Sequence, residues 1–281
     1  MKRKNIITKK IILYICLTII GIIFISPLLW VVSTAFKTVE ETYGSQITWI
    51  PNPVTFKHFI KLFTEYHLFI FIKNSIFVTS FSVIGTVISC SMVAYAFARL
   101  NWFGKNTFFI VLLATMMIPQ QVTMIPLFIF FNKIGWINTF KPLIIPQFFA
   151  GGVEGALYVF ILRQFIRTIP RELDEAAKID GCGYFKIYTH IIMPLLKPAL
   201  GAVAVFSFML HWNEFMMPLI YLNDESKFTL PVGLQYFKLQ DFILYNELMG
   251  ASLVALLPCI IIFFMFQKYF IRGIDLKAGK G

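Results

Sequence analysis

The sequence predicts an all-α, polytopic membrane protein with six transmembrane helices, and three observations carry that prediction. The chain of 281 residues is 58% hydrophobic and only 14% charged, with 32 Phe, which is more apolar surface than one soluble core can hide. Six charge-poor intervals reach the roughly 20 residues that a helix needs to cross hydrocarbon. The Lys and Arg residues between those intervals are also distributed unevenly, as the positive-inside rule requires.

The first interval, 11–36, follows a basic amino terminus. It is longer than the apolar core of a cleavable signal and carries no small-residue cleavage site, so it reads as a retained span. The others are 74–98, 106–132, 142–162 (interrupted by Glu154), 198–223 (interrupted by Glu214) and 248–267. Pro27, Pro119, Pro126, Pro146, Pro218 and Pro258 fall inside them, where a missing N–H kinks or ends a helix. Between the first two spans, Pro51-Asn52-Pro53 marks a turn. Phe56, Phe59, Ile60, Phe63 and Tyr66 follow at helical spacing, which predicts a short interfacial helix. With no internal repeat or linker, residues 1–281 read as a single membrane domain.

With the amino terminus placed in the cytoplasm, segments 1–10, 99–105, 163–197 and 268–281 are internal and hold 5, 2, 6 and 4 Lys plus Arg. The outer segments 37–73, 133–141 and 224–247 hold 4, 2 and 2, and all six arginines fall inside. Both termini are therefore expected in the cytoplasm of a multi-pass protein of the cell membrane. This topology accounts for the net charge of +11 without nucleic acid as a partner. Cys16, Cys90, Cys182 and Cys259 lie far apart, so no metal or redox motif and no disulfide framework is expected.

The internal segment after the fourth span is more organised than a connector needs to be. Pro170 suits a first helical position, Glu172, Asp174 and Glu175 complement the positive end of a helix, and Gly181 can close it in a left-handed conformation. The expected helix has about three turns, with Leu173, Ala176, Ala177 and Asp180 on one face and little bulk at the alanines. Such a face fits a groove on a partner.

Glu175-Ala176-Ala177, Asp180-Gly181, Ile191 and Pro194 resemble, in order and spacing, the EAA loop of the membrane subunits of binding-protein-dependent ABC importers. The resemblance extends over most of the chain. Asn74-Ser75, Trp212-Asn213-Glu214-Phe215 with Pro218-Leu219, Leu230-Pro231-Val232-Gly233-Leu234 and Tyr269-Phe270-Ile271-Arg272-Gly273 look like the carbohydrate branch, in particular its maltose-type second permease. Cys182 departs from it, where many relatives carry Ala.

The resemblance implies the type I importer permease fold and a division of labour. Two permeases, here different chains, form a pore; two cytoplasmic ATPases dock on the EAA loops; an extracellular or periplasmic binding protein delivers a sugar. It assigns ATPase coupling to Glu175, Ala176, Ala177, Asp180, Gly181 and Pro194. The sequence contains no Gly-x-x-x-x-Gly-Lys phosphate loop, so ATP and Mg are expected on the partner ATPases, with no cofactor, metal or catalytic residue on this chain.

Glu154 and Glu214 interrupt spans, where a carboxylate is costly enough to face a cavity, an interface or a partner. Trp212, Asn213, Glu214, Phe208, Tyr221 and Gln121 are the candidates for the solute path, the aromatics by stacking on a sugar ring. Gln120 and Gln121 equally suit backbone groups freed by Pro119. His211 and Glu214 are too few to bind a metal. An importer for a peptide or amino acid is the alternative within the class. An intramembrane enzyme would need a nucleophile or full metal set, and a passive channel would have no use for an EAA loop.

Overall fold

The computed structural model describes residues 2–239 and 244–278. Fourteen α-helices run in the order α1 (Lys2–Ala35), α2 (Val39–Tyr43), α3 (Lys57–Thr64), α4 (Leu68–Arg99), α5 (Lys105–Thr115), α6 (Gln120–Lys133), α7 (Lys141–Ile144), α8 (Gly152–Thr168), α9 (Glu172–Ile179), α10 (Tyr184–Ile187), α11 (Met193–Asn213), α12 (Met216–Tyr221), α13 (Leu230–Leu239) and α14 (Tyr245–Ala278), and no strand occurs among the described residues. Among the described residues, five stretches are long and apolar enough to cross a membrane: Lys9–Ala35, Leu68–Arg99, Lys141–Thr168, Tyr184–Asn213 and Tyr245–Gln267. Helices α5 and α6 make a sixth if their bent pair counts as one span.

Several boundaries differ from the charge-free intervals. The second span starts at Leu68 rather than at residue 74, because Lys73 lies within its helix and a long exposed stem lets the ammonium reach polar surroundings. The third is broken: α5 and α6 meet at 98°, and Pro119, extended at ψ 135°, stands between them without an N–H to continue the ladder. The fifth begins at Tyr184 and its helix stops at Asn213, leaving α12 as a separate piece.

The chain divides into two compact units. The first is Met1–Leu68 with Leu234–Leu257. Here α3 is the short helix anticipated from the aromatic spacing. Its Lys61 donates to Glu247 at 2.9 Å, and Tyr66 Oη donates to the other oxygen of that carboxylate at 3.1 Å. Glu247 is 1% exposed, so both contacts are needed to offset its desolvation. The carboxylate in turn raises the Lys61 pKa. The apolar window of α1 is not covered by the described chain.

The second unit is Phe69–Gly233 with Pro258–Gly281. Its largest core joins Cys90, Ala94, Tyr95 and Ala98 of α4 to Val159, Leu162 and Ile166 of α8 and Leu196, Ala199 and Val203 of α11. The fourth span is not one helix: α7 passes into a 3₁₀ turn at Ile145–Phe149, closes at Ala150 with φ 52°, and resumes as α8. Helix α4 supplies the polar groups this irregular backbone lacks. Ser89 Oγ donates to Gln147 O at 2.7 Å and accepts from Ala150 N at 3.0 Å, and Ser82 Oγ donates to Leu143 O. Gly85 permits the approach, since a Cβ there would stand 2.7 Å from the Phe148 ring.

Candidate functional site

Helix α9 is shorter than expected, eight residues from Glu172 to Ile179, because Arg171 opens it and Pro170 lies outside rather than at its first position. Gly181 closes it at φ +79°, and Cys182 N donates back to Ala177 O at 2.9 Å. Three acids occupy the first turn, as the dipole favours.

One of those acids fixes how α9 is rotated. Asp174 is 7% exposed, and its Oδ2 lies 2.9 Å from Nε of Arg99, the last residue of α4. The Arg99 bond with good alignment is a different one, from Nη2 to Ile169 O at 2.7 Å. Asp174 Oδ1 has no hydrogen-bond partner. Charge attraction therefore holds the pair, and burial outweighs Arg99 in setting the carboxyl, pushing its pKa above the ordinary value.

One turn on, Ala177 enters the core beside Ala98, Ile169 and Ile187. The expected common face of Leu173, Ala176, Ala177 and Asp180 is thereby split, because the Asp174–Arg99 contact turns Ala177 toward its own chain. The surface left outward carries Glu172, Glu175, Ala176 and Ile179, the last 88% exposed.

A second feature lies within the same unit: a cavity of about 340 Å³ where three span interruptions converge. Gln120 comes from the first residue of α6 after the bend, and Glu154 from the first turn of α8 after the break. Glu214 comes from the point where α11 stops. Its Oε1 accepts from Met216 N at 2.9 Å and Met217 N at 3.2 Å, so the carboxylate caps α12 while one side faces the cavity. Thr123, Gln147 and His211 add polar groups, and Tyr221, packed edge-on against Phe131 at 5.4 Å, forms an apolar wall. Two carboxylates, an imidazole and amides set in an otherwise largely apolar cleft can hydrogen-bond the hydroxyl groups of a solute while apolar walls pack against its rings. Among the described residues, no group of three His, Cys, Asp or Glu is placed to hold a metal ion.

Residues 85–276 match the model of the binding-protein-dependent transport system inner membrane component family. The chain belongs to that family. Among its curated relatives, the arabinooligosaccharides transport system permease protein of Halalkalibacterium halodurans is 34% identical over 284 residues, covering 100% of both chains. The trehalose/maltose transport system permease protein of Thermococcus litoralis is 32% identical over 278 residues, 98% of each. A crystal structure of a bacterial ABC transporter involved in alginate import has the same fold, with a TM-score of 0.84 over 93% of this chain and 96% of that one, at 21% identity.

In this permease the residues anticipated for solute contact fall into two groups. Glu214 and Tyr221 line the cavity. Trp212 is buried and stacked on Phe208 with ring centroids 5.6 Å apart, and Asn213 turns back to donate to Met209 O at 2.7 Å. Gln121 is exposed, and its neighbour Gln120 is the one on the cavity. Pro194 is exposed at the start of α11. Thr123 and Gln147 went unnoticed in the sequence, although each is a polar residue inside an otherwise apolar interval, which is the signal that marks them.

Proposed function

We propose that this permease is a pore-forming subunit of an ATP-driven carbohydrate importer. The observation that carries the reading is full-length similarity, at about one third identity, to permease proteins named for arabinooligosaccharide and trehalose/maltose transport. The cavity agrees with it, offering acceptors and donors to hydroxyl groups at the convergence of three helix breaks. A separate ATPase, binding ATP and Mg, grips the outward face of α9 from the cytoplasm, and a second, different permease completes the pore. A solute-binding protein delivers the sugar from outside, as in the alginate transporter solved with its pentasaccharide-bound periplasmic protein. Both termini lie in the cytoplasm, in line with the excess of Lys and Arg on that side.

In this reading Glu175, Ala176, Asp180 and Gly181 serve the ATPase contact directly, whereas Ala177 positions the helix against its own core. The test is uptake into proteoliposomes holding the permease with its partner permease, ATPase and binding protein. Labelled oligosaccharides are expected to accumulate only with ATP, and labelled peptides and amino acids to stay outside. Accumulation of a peptide or amino acid but no sugar, or sugar flux without nucleotide, would overturn the proposal.

A further inference from the structure

On the same side of the membrane as α9, a groove of about 470 Å³ opens between the start of α5 and the end of α8. Four cations line it: Lys105, Arg163, Arg167 and Arg171. Arg163 and Arg167 lie four residues apart on one face of α8, and Arg171, which opens α9 after the chain leaves the helix at Ile169, joins them at the groove. None of the four takes part in an ion pair among the described residues, where the three that form involve Lys61, Arg99 and Lys227.

The two inner cations are held in place by neutral groups. Arg163 Nε donates to Phe97 O at 3.3 Å with its guanidinium 3.9 Å from the Phe109 ring centroid, and Lys105 Nζ donates to Leu100 O at 2.7 Å. The side chains of Arg167 and Arg171 are exposed and make no hydrogen bond or ion pair among the described residues. Four converging positive charges repel one another unless an anion joins them.

The position says which anion. Arg167 lies in the last turn of α8 and Lys105 opens α5, so the groove sits where apolar helices end. Trp102 lies on its wall, and the next residue, Phe103, is 99% exposed. Basic residues backed by interfacial aromatics at the ends of spans are the arrangement that holds a lipid headgroup, with guanidinium forks matching phosphate oxygens and rings beside the acyl chains. We propose that this groove binds the phosphodiester headgroup of an anionic phospholipid. Since Arg171 also opens α9, a headgroup held there steadies the start of that helix.

The test is native mass spectrometry of the whole transporter, purified with its partner subunits into mixed phosphatidylglycerol and phosphatidylcholine. Wild type is expected to retain phosphatidylglycerol selectively. The exposed single variant Arg167→Gln should weaken retention about fivefold, and Arg167→Gln/Arg171→Gln roughly 25-fold, while Lys186→Gln leaves it unchanged. Equal retention by wild type and the double variant would overturn the assignment. Displacement of the lipid by millimolar inorganic phosphate would assign the groove to free phosphate instead, and loss of the ATPase from the double variant with phosphatidylglycerol still bound would assign it to protein docking; either result rejects the lipid.

Discussion

Replacing Arg99 with Met keeps most of the apolar stem while removing the charge that faces Asp174. Both side chains are largely covered, at 5% and 10% exposure, so the substitution strands a carboxylate in a poorly solvated place and leaves Ile169 O without its donor. Breaking one side of a buried pair costs about 3–5 kcal/mol, which in a chain of this size lowers the thermal midpoint by roughly 6–12 °C. Replacing both partners, Arg99→Met with Asp174→Leu, should recover most of that loss, because apolar groups of similar volume need no desolvation. The assay is thermal unfolding of the purified transporter, paired with the ratio of solute imported to ATP hydrolysed. The ratio should fall in Arg99→Met, since α9 loses its fixed rotation. A single variant within about 0.5 kcal/mol of wild type, or a double variant no better than the single, would refute the reasoning.

The Asp174 carboxyl sits above its unfolded value because of burial, so its contribution to stability is complete below about pH 4 and is lost as pH rises through the folded value. The thermal midpoint of wild type should therefore gain on that of Asp174→Asn as pH is lowered from 7 toward 4. Gly181→Val introduces a β-branched residue at φ +79° and should cost about 1–2 kcal/mol with reduced coupling; a Cβ there meets nothing within 4 Å, so Gly181→Asn should restore both. Ala177→Leu overpacks the core and should lower stability by about 1–3 kcal/mol, whereas the exposed Ala176→Leu should leave the melting point alone and weaken co-purification of the ATPase. Glu214→Ala removes the acceptor for Met216 N and Met217 N, which should destabilise α12 by about 1 kcal/mol and reduce uptake measured in proteoliposomes.

The spans were legible because hydrocarbon imposes a length and a composition on any helix that crosses it. Pro119 and Pro146 sit at interruptions, whereas Pro27, Pro126 and Pro258 lie inside continuous helices. The angle was not legible: Pro119 announces a kink, but 98° depends on what α5 and α6 pack against. In the fourth span Pro146 announces an interruption but not its form; the break persists because Ser82 and Ser89, some 60 positions earlier, satisfy the freed backbone. The rotation of α9 was hidden for the same reason, being set by Arg99. Gln120 and Gln121 differ by about 100° around a helix, and only the packed bundle chooses which one meets the cavity.

The most direct test of the account is the reactivity of Ile179→Cys, placed at an exposed point of α9, in a transporter whose permease chain has had its four native cysteines replaced. A membrane-impermeant maleimide should leave it unlabelled in intact cells, label it in inside-out vesicles stripped of the ATPase, and fail again once the ATPase is restored. Labelling from outside intact cells, or labelling that the bound ATPase does not block, would contradict the account.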